Sequence, residues 1–164
     1  MKTVILVRHG KASHDDLSVS DLQRPVTGEG RKRTMKIAKY LSARETHVDK
    51  IITSHALRAT ETAKILGKEL GITEKDFIIE KAIYGAHPDT FYDILFALPD
   101  DVDRVMIVGH NPGIGIFAFR FLKTQVESLP TSGVVALRFI TDDWCEVASC
   151  RSEVEFTVFP SMIT

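Results

Sequence analysis

The chain has 164 residues, 44% of them hydrophobic, and its 21 Lys and Arg against 22 Asp and Glu give a formal net charge of -1. That length suits one domain with a sizeable core, expected here to span residues 1–164, and the balanced charge supplies no basic field for nucleic acid. No stretch reaches the roughly 18 apolar residues of a membrane span, and the four apolar residues after Met1-Lys2-Thr3 fall short of a secretory core of about 7 to 15, so the expectation is a cytoplasmic protein without membrane or nucleic-acid partners.

Val4-Ile5-Leu6-Val7 has the pattern of a strand buried on both faces of a parallel sheet. It delivers Arg8-His9-Gly10 to its carboxyl end, where ligands of open α/β sheets gather. The polar residues 12–27, with Arg24-Pro25, predict a surface loop beside that strand. Over residues 29–42, Met35, Ala38 and Leu41 recur at helical spacing. Ile51-Ile52-Thr53-Ser54 predicts a strand passing through His55-Ala56-Leu57-Arg58 into a helix with Ala63, Leu66 and Leu70 on its apolar face. Arg58 falls in the first turn, against the dipole's preference for acids, a placement more useful if an anion lies nearby.

Phe77–Ile79 predicts a short strand, and Asp89 the cap of a helix whose Phe91, Ile94, Leu95 and Leu98 form one stripe before Pro99. Val105-Met106-Ile107-Val108 repeats the grammar of the first strand and runs into Gly109-His110-Asn111-Pro112-Gly113. Residues 114–122 read as a buried helix and 129–132 as the return to the sheet. Residues 134–140, 144–149 and 154–159 read as strands, the first two joined through Thr141-Asp142-Asp143. The predicted fold is α/β, a mostly parallel central sheet flanked by helices, with antiparallel strands near the C-terminus.

Two histidines and two arginines thus end three predicted strands. Arginine presents a planar fork that matches phosphate oxygens, so Arg8 and Arg58 suit a phosphoryl group. A neutral imidazole can attack phosphorus, and cationic neighbours disfavour its protonation, which makes His9 the candidate nucleophile. Phosphoryl transfer needs in-line positioning and neutralisation of the equatorial oxygens, and His110 would supply a further donor. Taken singly, Arg8-His9-Gly10 is a surface turn, Arg58 a solvated helix residue and His110 a histidine satisfied by a Gly-Pro turn; their company argues otherwise.

His55 either lines the pocket or simply sits near a helix start, and Lys11 and Ser13 read as solvated loop residues. His14, Asp15 and Asp16 evoke a metal site, but two arginines at the same rim oppose a divalent cation. His47 and His87 have no evident partners and are assigned to the surface. Cys145 and Cys150 lie five positions apart, on opposite faces of a strand, so no disulfide is expected. The Cys145 to Arg151 spacing matches that of cysteine-dependent phosphatases, but the segment lacks glycine and puts Glu146 beside the supposed nucleophile. Gly109, Gly113 and Gly115 match neither nucleotide-loop pattern and read as a tight turn exposing His110.

Leu6-Val7-Arg8-His9-Gly10-Lys11-Ala12, Arg24-Pro25-Val26-Thr27, Ser54-His55-Ala56-Leu57-Arg58-Ala59-Thr60-Glu61-Thr62-Ala63 and Val108-Gly109-His110-Asn111-Pro112-Gly113 together resemble the histidine phosphatase superfamily, specifically its SixA-type phosphohistidine phosphatase branch. The resemblance implies a phosphoglycerate mutase-like three-layer sandwich, His9 as the transiently phosphorylated residue, and Arg8, Arg58 and His110 as phosphate-binding groups, with no metal and no cofactor. It implies a hydrolase acting on phosphohistidine of a partner protein. The alternatives are a phosphatase of small phosphomonoesters, or a non-catalytic phosphate-binding module. Larger superfamily members place a glutamate proton donor shortly before a motif resembling Tyr84-Gly85. Here Lys81 stands at that place, leaving Glu80 and Asp21 as the candidate general acids. An imidazole leaves more readily than an alkoxide, so a phosphohistidine substrate demands less of such an acid.

Overall fold

The computed structural model describes residues 1–123 and 128–163. Strands β1 (Lys2–Arg8), β2 (Lys50–Thr53), β3 (Phe77–Ile79), β4 (Arg104–Gly109), β5 (Val134–Phe139) and β6 (Ser152–Val158) form one sheet in the order β3-β2-β4-β1-β5-β6. β1 to β4 pair in parallel, whereas β5 runs antiparallel to β1, and β6 antiparallel to β5. Helices α1 (Gly28–Ala43), α2 (Leu57–Leu70), α3 (Thr90–Phe96) and α4 (Gly113–Phe119) flank it. The α/β sandwich read from the sequence is the fold observed.

The continuous apolar runs follow from burial on both faces. In β1, Val4 and Leu6 join a cluster with Phe91 and Leu95 of α3 and Ile114 and Phe117 of α4. Ile5 and Val7 join the opposite cluster with Ile37 and Leu41 of α1 and Ala63 and Leu66 of α2. Each fully buried side chain of this size contributes about 1.5 to 3 kcal/mol against exposure. Close approaches fix the helices to the strand ends. Gly113 opens α4 where a Cβ would lie 2.3 Å from the Ala86 carbonyl oxygen, and Gly30 sits in the first turn of α1 where one would lie 2.5 Å from that of Lys11.

Several expectations are corrected. Residues 144–149 are not a strand: Trp144–Glu146 is a 3-10 turn capped by Asp143, whose carboxylate accepts the Cys145 N–H at 2.9 Å. Its buried Trp144 donates Nε1–H to the Val102 carbonyl at 2.7 Å, an anchor that outweighs the alternating pattern. The partner of β5 is therefore β6. Asp89 stands at the start of α3 without capping it, because its carboxylate accepts instead from Arg120 at 2.6 Å. α4 ends at Phe119, three residues early, while residues 129–132 return the chain to the sheet through a turn that leads into β5. His47 and His87 are exposed as expected, yet both have carboxylate partners, Asp49 at 2.7 Å and Asp89 at 3.7 Å.

Both cysteines are free. The Asp143 carboxylate pushes the Cys145 thiol up and burial does the same for Cys150, the reverse of an activated nucleophile. The cysteine-phosphatase reading therefore fails on electrostatics as well as on composition. No helix among the described residues is long and apolar enough to cross a membrane.

Candidate functional site

Register builds the site. β1 and β4 are parallel neighbours with Arg8 opposite Gly109, so the residue after each strand, His9 and His110, emerges at the same level. The His9 N–H donates to the Gly109 carbonyl at 3.0 Å, and the two imidazoles lie 5.0 Å apart between centroids. β2 flanks β4 with Thr53 opposite Val108, which places Ser54 beside them and feeds Arg58 into the first turn of α2. Arg8, His9, Arg58 and His110 all line one cavity of about 310 Å³, joined by Lys11, His14, Arg24, Asn111 and Thr131. The four residues selected from the sequence are thus brought together.

The loop carrying His9 is clamped on every side. Gly10 donates its N–H to Thr62 Oγ1 at 2.8 Å, and a Cβ there would lie 2.9 Å from Thr34 Oγ1. Buried Ser132, in the left-handed region at φ 60°, turns its N–H onto the carbonyls of Arg8 and His9 at 3.0 and 3.2 Å. Its hydroxyl bonds that of Thr34 at 2.7 Å, and Thr34 donates to the Gly30 carbonyl. A left-handed non-glycine residue costs energy and persists where its surroundings over-determine it.

Tautomers follow from the same network. His9 Nδ1 lies 2.8 Å from the Gly10 carbonyl oxygen, an acceptor only, so Nδ1 carries the proton and Nε2 keeps its lone pair. Burial, reinforced by Arg58, Arg8 and Arg24, lowers the His9 pKa to about 4. His110 Nε2 lies 2.6 Å from the hydroxyl of buried Ser54, which also accepts the Ala56 N–H at 3.3 Å. With the Ser54 hydroxyl donating to Nε2, the other nitrogen of His110, Nδ1, carries the proton and is the N–H donor. Burial, then His9 and Arg58, lower the His110 pKa to about 3.

Arg58 is 5% exposed at a helix start, where the dipole opposes its charge. Asp21 holds its outer nitrogens: Nη1 donates to the Asp21 carbonyl at 2.7 Å and Nη2 to its carboxylate at 3.0 Å. Arg8 Nη1 donates to the Leu129 carbonyl at 3.0 Å. The Nε atoms of both arginines and Nδ1 of His110 are buried without a hydrogen-bond partner among the described residues, as is Asn111 Oδ1. Buried unpaired donors cost about 1 to 3 kcal/mol each, and three of them on groups converging on one small pocket suit a tetrahedral oxyanion.

Neither candidate acid has the setting of a proton donor. The Glu80 carboxylate accepts the Ala82 N–H at 3.1 Å and lines a different cavity, between β3 and α3. The Asp21 carboxylate receives the Tyr84 hydroxyl, Arg24 and Arg58, which hold it ionised well below the usual carboxylate range. Tyr84 also meets His110 edge-on at 5.4 Å and His55 at 5.6 Å. His14 faces the Arg24 guanidinium at 3.3 Å, a cation that disfavours a divalent ion beside it. Ser54, Tyr84 and Arg24 were not selected from the sequence as site residues. Ser54 stands directly after a buried strand and opens a segment that carries the family resemblance, the two signals that marked it.

The family profile of the histidine phosphatase superfamily (branch 1) matches residues 4–84. An uncharacterised protein of Picosynechococcus is 32% identical over 137 residues, covering 80% of this chain and 81% of that one. The chain belongs to the histidine phosphatase superfamily. Phosphohistidine phosphatase SixA of Escherichia coli, at 23% identity, covers 81% of this chain and 82% of its own. The structure of the protein histidine phosphatase SixA complexed with tungstate superposes with a TM-score of 0.80 at 21% identity, over 98% of both chains. Within the superfamily this chain thus has the SixA fold.

Proposed function

We propose that this protein is a metal-independent phosphatase that works through a phosphohistidine intermediate on His9 and removes phosphoryl groups from phosphohistidine of a partner protein. One observation carries the reading: His9, with Nδ1 tied to its own loop and Nε2 unprotonated, stands 5.0 Å from a second imidazole and shares its pocket with the guanidiniums of buried Arg58 and half-buried Arg8. A site that only read phosphate would need the guanidiniums and no nucleophile. The SixA relatives support the substrate class, and tungstate in one of them is a tetrahedral oxyanion of the kind this pocket suits.

In the first step the His9 Nε2 lone pair forms a bond to phosphorus as the bond to the substrate imidazole nitrogen breaks, with Arg8, Arg58 and the His110 Nδ1–H holding the equatorial oxygens. The leaving imidazole keeps the bonding pair and takes a proton from solvent. Water then attacks the phosphorylated His9, releasing inorganic phosphate and the neutral imidazole. With Asp21 ionised and Glu80 elsewhere, the site suits an imidazole leaving group over an alkoxide.

The test is rapid quench with a labelled phosphohistidine peptide, beside an alkyl phosphate. The expected adduct is acid-labile, alkali-stable and absent from His9→Ala, with faster turnover of the peptide. Equal or faster turnover of the alkyl ester overturns the substrate assignment, and the absence of an adduct overturns the covalent mechanism.

The low histidine pKa also reaches stability. A histidine with a depressed folded pKa stays neutral where the unfolded chain takes up a proton, so stability is full above about 6.5 and falls as pH drops towards the folded value. For His9, displaced from 6.5 to about 4, this amounts to about 3 kcal/mol. Urea midpoints at pH 7 and pH 4.5 should differ by less in His9→Gln than in the wild type.

A further inference from the structure

We infer that the phosphate pocket is the deep end of a longer basic groove, and that this groove receives an acidic polypeptide segment flanking the phosphohistidine of the partner. The inference rests on the function proposed above. Its ground is a second depression of about 250 Å³, lined by Arg33, Lys36, Pro130, Thr131, Pro160 and Ser161. Thr131 also lines the histidine pocket, so the two hollows adjoin across one residue.

Charge along this path departs from that of the whole molecule. The chain carries one more acid than base, yet six cations, Arg8, Lys11, Arg24, Arg58, Arg33 and Lys36, and no carboxylate line the joined hollows. Two acids meet those cations from outside the lining. Asp21 pairs with Arg24 and Arg58, and half-exposed Glu29 pairs with both Lys11 and Arg33. Lys36 is exposed and has no ion pair among the described residues. It lies one helical turn beyond Arg33 on α1, so the positive charge continues past the last acid.

The lining also selects the occupant. The second hollow has no aromatic ring on which a base or sugar would stack and no carboxylate to accept from sugar hydroxyls. Two prolines and two small hydroxylic residues form a solvent-open trough whose charged groups are Arg33 and Lys36. An extended chain places alternate side chains about 7 Å apart, so glutamates following a phosphohistidine seated at His9 meet Thr131 and then the Arg33 and Lys36 pair. Such rim contacts govern encounter rate and partner choice.

The test uses three ten-residue peptides with a central phosphohistidine flanked by glutamate, alanine or lysine, together with phosphoimidazole as a small substrate. In the wild type the glutamate peptide should exceed the alanine peptide in kcat/KM by about tenfold at low salt, and the advantage should fade as salt screens it. R33E/K36E should abolish or reverse that order while turning over phosphoimidazole at the wild-type rate, which certifies its fold and its catalytic pocket. Equal kcat/KM for the three peptides in the wild type, or an unchanged preference in R33E/K36E, overturns the groove. Competition by inorganic triphosphate that disappears in R33E/K36E, with the glutamate-peptide rate unaffected by the variant, assigns the trough to a small polyanion and also overturns it. Binding of the same peptides to His9→Ala, read by fluorescence anisotropy, reports the groove even if the wild type hydrolyses none of them, so failure of the enzymatic reading stays distinct from failure of this one.

Discussion

His9→Ala should lose turnover by about 10⁴-fold or more, the scale seen when a covalent nucleophile is deleted, while affinity for inorganic phosphate changes by only a few fold. The two readouts separate because the groups serving each are distinct. The imidazole supplies the electron pair, whereas the buried donors suited to phosphate are on Arg8, Arg58 and His110, and none is held by the His9 ring. Truncation also removes the bond from Nδ1 to the Gly10 carbonyl, but the loop keeps its other ties through Thr62 and Ser132. The backbone should therefore stay in place. Imidazole added to the solution should restore part of the lost rate by entering the space vacated. Parallel collapse of phosphate affinity and turnover would mean that His9 supports the pocket instead of reacting in it.

The parts legible in the sequence share a physical basis. Val4 to Val7 and Val105 to Val108 are buried on both faces, which makes their composition one-sided and their ends easy to place. Arg8, His9, Arg58 and His110 stand out because charged and reactive groups follow such runs directly. Register was not legible: nothing in one dimension says that Arg8 faces Gly109, and the 5.0 Å approach of the imidazoles depends on it. The misread segment, residues 144–149, shows how a single large side chain overrides a pattern, since Trp144 finds a buried acceptor only when the chain turns. Asp21 was noticed as an acid, but its role depends on Tyr84, Arg24 and Arg58, 63, 3 and 37 residues away in the chain. Ser54 acts through its hydroxyl and Ser132 through its hydroxyl and N–H, and serine carries no compositional signal for either use.

Arg58→Ala should reduce kcat/KM by about 10² to 10³, the range for losing one preorganised donor to a developing charge, and Arg58→Lys should restore little of it. The guanidinium does two things at once. Its Nη atoms are held by Asp21 at 2.7 and 3.0 Å, which fixes the plane, and this orientation leaves Nε as the buried donor without a partner among the described residues. An ammonium is a point charge on a flexible stem and cannot bond the Asp21 carbonyl, its carboxylate and a phosphoryl oxygen from one rigid plane. Stability should move much less than rate. Arg58 sits 5% exposed at a helix start, where the dipole opposes its charge and where, after burial, it helps lower the pKa of Arg8, but its pairing with Asp21 at 2.7 and 3.0 Å offsets that cost. The Arg58→Ala unfolding midpoint at pH 7 should accordingly fall far less than the rate does, and phosphate, which stabilises the folded state more the more tightly it binds, should raise the midpoint of the wild type more than that of the variant. A variant that loses rate and stability together, with the same response to phosphate as the wild type, would place Arg58 in the scaffold and not in the phosphate site.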